Sequence, residues 1–241
     1  MAIVTGASSG LGVAAATALA RAGADVVLGA RRADPLADTA AAVEALGRRA
    51  IAVATDVTDA NACEHLAATA HQELGRVDVL LNNAGVGSAV PATRETPEEF
   101  TRVVDVNLTG CFQMAAAAAR HMEHGGSIIN VSSILGLTTA GLPQAAYTAS
   151  KAGLIGLTRD LAAQWTGRKG IRVNALAPGF FESEMTDAYP KEYLAAMLPR
   201  VLTGRFGDPE ELAAAVVFLA SAAGGYVTGQ VLAVDGGVTI T

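Results

Sequence analysis

Short continuous apolar runs alternate with longer Ala-rich stretches from one end of the chain to the other. Ala2-Ile3-Val4-Thr5 predicts a first strand, which ends abruptly in Gly6-Ala7-Ser8-Ser9-Gly10-Leu11-Gly12. The following Ala-rich segment predicts a helix to Ala22, with Gly23 as its C-terminal stop. The same reading continues with strands over Asp25–Gly29, Ala50–Ala54, Asp78–Leu81, Ser127–Val131, Ile171–Leu176 and Val231–Val234. Helices are expected over Pro35–Leu46, Ala60–Leu74, Pro97–Met122, Tyr147–Trp165 and Pro209–Ala220. Strands that are apolar throughout, rather than alternating, belong in a parallel sheet covered on both faces. The expected fold class is therefore α/β: one Rossmann-type, doubly wound parallel sheet of about seven strands, with helices on both faces. No linker or repeat divides the pattern, so residues 1–241 are read as a single domain.

The turns carry the candidate chemistry, since ligands in such sheets bind beyond the carboxyl ends of the strands. Gly6, Gly10 and Gly12 let the backbone approach a phosphate, and the N-terminus of the next helix offers free N–H groups to it. Further on, Tyr147 and Lys151 are spaced i, i+4, so both side chains lie on one helix face. A neighbouring cation favours the phenolate. Lowering a Tyr pKa from roughly 10 by two or three units takes about 3–4 kcal/mol. One cation about 4 Å away supplies roughly that much at an effective dielectric near 20. The phenol could then act as a general acid or base near neutral pH.

Composition removes several alternatives. The 241 residues are 51% hydrophobic and only 5% aromatic, so the core must be built from Ala, Val and Leu. Net charge is −6, with Arg and Lys scattered, which argues against nucleic acid or an anionic membrane surface as partner. Cys63 and Cys111 are too few for a disulfide framework or a metal site and read as buried small hydrophobes. No apolar run reaches the ~18 residues of a membrane span, and no signal peptide is seen, so a cytoplasmic location is expected.

Taken together, these residues resemble the classical short-chain dehydrogenase/reductase family along the whole chain. Thr5 to Gly12 is similar to its cofactor turn, Asn82-Asn83-Ala84-Gly85 to its fourth-strand motif, and Asp105-Val106-Asn107-Leu108 to its helix asparagine. Ser133, Tyr147 and Lys151 match its catalytic set, and Pro178-Gly179 its loop after the sixth strand. The resemblance implies an NAD(P)-dependent interconversion of ketone and secondary alcohol. In it, Tyr147 exchanges a proton with the carbonyl oxygen and Ser133 positions that oxygen. Lys151 lowers the Tyr pKa and binds the nicotinamide ribose, and Asn107 holds a water linked to Lys151. If Ser132 faces the cleft instead of Ser133, that one role moves. A non-catalytic dinucleotide-binding sensor is the alternative from another class.

Cofactor contacts implied by the resemblance involve Gly6, Ser8, Ser9, Gly10, Leu11 and Gly12. Asp56 and Val57 would flank the adenine. Asn83, Ala84, Gly85, Tyr147, Lys151, Pro178, Gly179, Phe181 and Ser183 would complete the site. An NAD enzyme of this type carries an acid where Ala30 stands. Here Arg31 and Arg32 follow instead, and a guanidinium binds phosphate in two-pronged fashion, so NADP(H) is expected over NAD(H). Residues 184–205 are expected to form a substrate lid, and Leu135, Leu142, Phe180, Met185 and Tyr189 to contact a small-molecule substrate. The C-terminal half looks most like 3-oxoacyl-(acyl-carrier-protein) reductases. His124 and Arg168-Lys169 only partly keep that group's basic docking pair, so a free ketone or sugar acid stays open. The family commonly forms a homodimer or homotetramer, and the small-residue run Ala115–Ala119 would suit close packing between subunits. No metal is assigned.

Overall fold

The computed structural model describes residues 1–87, 89–123, 125–181 and 189–241. Seven strands form one sheet in the order β3-β2-β1-β4-β5-β6-β7, with every neighbouring pair parallel. They are β1 (Ala2–Thr5), β2 (Val26–Ala30), β3 (Ala50–Ala54), β4 (Val79–Asn82), β5 (Gly126–Val131), β6 (Ile171–Pro178) and β7 (Val231–Val234). The doubly wound sheet expected from the apolar runs is the one that forms. Chain order reverses between β1 and β4, so the glycine turn after β1 and Asn83-Ala84-Gly85 after β4 meet at the switch point.

Strand alternation divides the core into two layers. Ala2, Val4, Val26, Leu28 and Leu81 face α1 (Gly10–Arg21), α2 (Ala33–Glu44) and the late helix Pro209–Ala220. Ile3, Val27, Leu80, Ile128 and Val173 face the opposite layer of α3 (Ala60–Leu74), α5 (Gly110–His121) and α6 (Ala145–Lys169). Ala115, Ala117, Ala118 and Ala119 are buried in that second layer. The small-residue run therefore packs inside the subunit, not between subunits as expected. An Ala face lets α5 lie close to its neighbours, at the cost of little buried area per residue.

The long helix expected over Pro97–Met122 is one continuous rod with a defect. It comprises α4 (Pro97–Val104), a π-helical turn (Asp105–Thr109) and α5. A capping box at Thr96 and Glu99, with Pro97 behind it, starts α4. The π turn, a conformation concentrated at functional sites, places Asn107 in the interior. Of the expected lid, residues 189–205 are described: α7 (Lys191–Met197), a 3-10 turn (Leu198–Arg200) and the buried Val201. Pro209–Ala220 is α8, again begun by a capping box, from Asp208 and Glu211. No helix among the described residues is long and apolar enough to cross a membrane.

Candidate active site

A cavity of about 750 Å³ opens along the carboxyl ends of β1, β2 and β4. Its floor is the glycine turn, with Gly6, Ser8, Ser9, Gly10 and Leu11 in the wall. Gly6 and Gly10 have φ of +64° and +52°, which L side chains rarely adopt. Gly12 does not line the cavity. A Cβ there would collide with the Gly6 carbonyl and with Asn83 Nδ2, so Gly12 is needed for contact within the turn. Ser9, the N-cap of α1, makes no side-chain cap, which leaves the first N–H groups of the helix available to an anion.

Asn83 holds this floor in place. Its Nδ2 donates to the carbonyls of Thr5 and Gly6, both at 3.1 Å, and the N–H groups of Asn83 and Ala84 donate to Thr5 Oγ1 at 3.1 Å. The side chain borders the cavity but has its amide committed to the turn. Ala84 and Gly85 continue the wall. Any side chain on Gly85 would crowd Asn107 Oδ1 at 3.3 Å and Lys151 Nζ at 3.5 Å. A glycine-built cradle with uncapped helix N–H groups fits the phosphates of a dinucleotide.

At the end of β2, Ala30 presents no carboxylate, and Arg31 and Arg32 line the cavity beside it. Arg32 Nη2 donates to Ser8 Oγ at 3.3 Å. Asp56 and Val57 line the facing wall. The Asp56 carboxyl accepts from the Thr58 N–H and hydroxyl at 3.0 and 2.8 Å, which holds its pKa below 3.8, with the Arg31 charge assisting.

The proton-transfer candidates stand where β5 meets α6. Tyr147 and Lys151 are both buried. Lys151 Nζ lies over the Tyr147 ring, 5.6 Å from its centroid, and donates to the Val131 carbonyl at 2.7 Å. The two adjacent serines separate cleanly. Ser132 Oγ donates to the Lys151 carbonyl at 2.8 Å and so ties β5 to the helix. Ser133 accepts from the Leu135 N–H at 3.1 Å and interacts with the Tyr147 phenol. Ser133, not Ser132, shares a site with the tyrosine.

Electrostatics correct one expectation. Burial raises the Tyr147 pKa above its usual 10.0, with Ser133 pulling the other way, and burial lowers the pKa of Lys151. Spacing alone suggested that the lysine would bring the phenol down. Both groups are instead removed from water, and desolvation disfavours each charged form.

Asn107 is fully buried and its amide is spent on protein partners. Oδ1 accepts from the Val86 N–H at 2.8 Å, and Nδ2 donates to the Val86 carbonyl at 2.9 Å and to Ser150 Oγ at 3.1 Å. Ser150 in turn donates to the Tyr147 carbonyl at 2.7 Å. Asn107 therefore clamps the loop after β4 to the helix carrying Tyr147.

Other expected contacts fall elsewhere. Phe181 is 4% exposed and belongs to the core layer with Leu212 and Val216, its ring packed on Gly207. It is a core residue, because successive side chains after β6 point to opposite sides and Phe180 takes the cleft side. Phe180 meets Tyr193 and Phe206 with ring centroids 6.2 and 5.7 Å apart. Pro178 closes β6, and the Gly179 N–H donates to Val234 at 2.9 Å, so neither lines the cavity. Leu135 packs with Tyr147 in a small apolar cluster, while Leu142 is half-buried. Tyr189 lines the cavity. Ser183, Met185 and His124 lie outside the described residues. Sequence reasoning missed Gln144 and Arg102, which both line the cavity. Gln144 stands one helical turn before Tyr147, a spacing that could have revealed it. Arg102 carried no local signal.

Comparison with known proteins decides the family. The chain matches the profile described as enoyl-(acyl carrier protein) reductase over residues 6–239. It is 40% identical to a 3-oxoacyl-(acyl-carrier-protein) reductase of Thermotoga maritima, covering 99% of this chain and 97% of that one. The chain belongs to the short-chain dehydrogenase/reductase family. As a short-chain dehydrogenase/reductase it is an oxidoreductase, but its relatives differ in substrate. A gluconate 5-dehydrogenase of Gluconobacter oxydans is 39% identical, covering 100% of this chain and 94% of that one. An Agrobacterium tumefaciens structure of the same fold, solved with bound NADP, is 38% identical, with a TM-score of 0.90 and coverage of 100% and 96%.

Proposed function

We propose that this chain is an NADP(H)-dependent oxidoreductase that interconverts a ketone and a secondary alcohol. The observation that supports the reading is that Lys151 Nζ lies over the Tyr147 ring, with Ser133 acting on the phenol, and comes within 3.5 Å of where a Cβ on the cavity-wall Gly85 would stand, although the three side chains do not themselves line the cavity. Reduced nicotinamide, when bound, supplies the hydride. Ser133 donates a hydrogen bond to the substrate oxygen and fixes its position. Tyr147 then delivers its proton to that oxygen, and burial keeps the phenol in the protonated form this step needs. Lys151 orients the ribose, its ammonium held by the Val131 carbonyl. A pure dinucleotide sensor would have no use for a buried phenol and ammonium in contact.

Arg31, with Arg32 beside it, supports the NADP(H) preference, since Ala30 offers no acid to a ribose hydroxyl or against a 2′-phosphate. A free small ketone is favoured over a carrier-bound acyl chain. Of the positions that only partly keep the docking pair, His124 lies outside the described residues, while Lys169 Nζ donates to the Ala119 carbonyl at 2.9 Å and Arg168 Nε to that of Gln164 at 3.1 Å. Phe100 and Phe112 stay exposed on the α4–α5 rod, and we read the functional unit as a homodimer or homotetramer.

The test is a ketone panel followed by NADPH absorbance, with Tyr147→Phe and Arg31→Ala. Tyr147→Phe should abolish turnover while NADPH still binds. Losing one charge-assisted contact should weaken NADPH binding by roughly 10- to 100-fold in Arg31→Ala and leave NADH unaffected. Turnover that persists in Tyr147→Phe removes the mechanism. Equal NADPH affinity with and without Arg31 removes the cofactor preference.

A further inference from the structure

Gln144 is 4% exposed, lines the cavity and sits one turn before Tyr147. Its Nε2 donates to the Tyr189 hydroxyl at 3.2 Å. Its Oε1 accepts from no group among the described residues, although the side chain is almost wholly removed from bulk water. Oε1 is not among the polar atoms sealed from solvent, so in the cavity wall it can accept a hydrogen bond from a ligand in place of water.

Tyr189 is complementary. Its oxygen accepts from Gln144, so its own proton is free to be donated into the cavity. The ring is fixed from behind by Tyr193, whose centroid lies 5.7 Å away in an edge-on contact. Tyr193 is anchored through its hydroxyl to the Ala140 carbonyl at 2.9 Å and through its ring to Phe180. Gln144 stands at the N-cap of the helix that carries Tyr147 one turn later, which keeps the pair near the proton-transfer group.

One acceptor and one donor, held side by side in a buried wall, match a hydroxyl group, which both donates and accepts. Resting on the reading of Tyr147 as the proton donor to a ketone, we propose that Gln144 and Tyr189 form a subsite for a hydroxyl on a carbon next to the reacting carbonyl. The substrate class is then a small hydroxyketone, whose reduction gives a vicinal diol, not a simple alkyl ketone.

The experiment uses a matched pair of probes, 3-hydroxybutan-2-one and butan-2-one, with NADPH. Wild type should reduce the hydroxylated probe with a kcat/KM at least about tenfold higher, the factor one net hydrogen bond provides. Gln144→Met and Tyr189→Phe should each bring the ratio toward one, with NADPH titration confirming that the variants fold. A wild-type ratio near one, or a high ratio that neither variant lowers, overturns the subsite. No turnover of any ketone in the panel would instead fail the underlying reading, so the two failures are told apart.

Discussion

Replacing Asn107 with Ala removes a clamp rather than a surface contact. Three hydrogen bonds of 2.8, 2.9 and 3.1 Å are lost, stranding the Val86 N–H and carbonyl and leaving Ser150 with its bond to Tyr147 alone. Each buried group left unpaired costs about 1–3 kcal/mol. Val86 is only half-buried, so water from the cavity can recover part of this, and a net loss of about 3 kcal/mol is reasonable. For a chain of this length that lowers Tm by roughly 6–12 °C. Thermal unfolding followed by circular dichroism reads the shift. NADPH reduction of a ketone by the same variant reads the slackened support of Tyr147 as a fall in kcat. If Asn107 serves only as a water holder for Lys151, kcat falls while Tm stays put. A Tm within about 1 °C of the parent therefore refutes the clamp.

Further outcomes follow from neighbouring observations. Ser133→Ala should lose most of its turnover with little change in Tm. Ser132→Ala, which cuts the 2.8 Å tie to the Lys151 carbonyl, should lower Tm as well; equal behaviour of the two variants would contradict their separation. Cys63 and Cys111 are pushed by burial from 9.0 to about 11, so neither should react with a thiol reagent at pH 8 until the protein is denatured. Their stabilising share is whole below pH 9 and is lost as pH rises toward about 11, so alkaline melts should show a falling Tm that Cys111→Ala reduces. For Tyr147, the raised pKa keeps the acid form present through neutral pH, and a positively charged oxidised nicotinamide would draw it down. The pH profile of alcohol oxidation should thus break at a lower pH than that of ketone reduction, and coincident breaks would refute this.

Sheet and helices were legible because punctuation and period agreed. β3, β7, α3 and α8 run between the residues expected, each bounded by Gly, Pro or Asp signals in the sequence. The π turn at Asp105–Thr109 left no such mark, since its residues, Asp-Val-Asn-Leu-Thr, include no Gly or Pro to interrupt the helix. Burial was the second blind spot. Spacing placed Tyr147 and Lys151 together but said nothing of how little water reaches them, and so gave the wrong sign for the phenol. Phe180 and Phe181 failed for a third reason: adjacent aromatics look alike until a backbone sends one to the cleft and the other to the core.

The two walls of the cleft hang from different parts of the molecule. Tyr147, Lys151 and Ser133 are rooted in the sheet through Val131 and Ser132, whereas Tyr189 and Tyr193 lead into α7, a helix in which no residue is buried. One wall is masonry and the other is joinery. Exchanging the outer wall gives up its ties to Gln144 and Ala140 but none of the bonds that tie Lys151 to Val131 and Ser132, so new substrates become accessible at small cost in stability. Engineering of specificity should begin at residues 189–200 and leave β5 and α6 untouched.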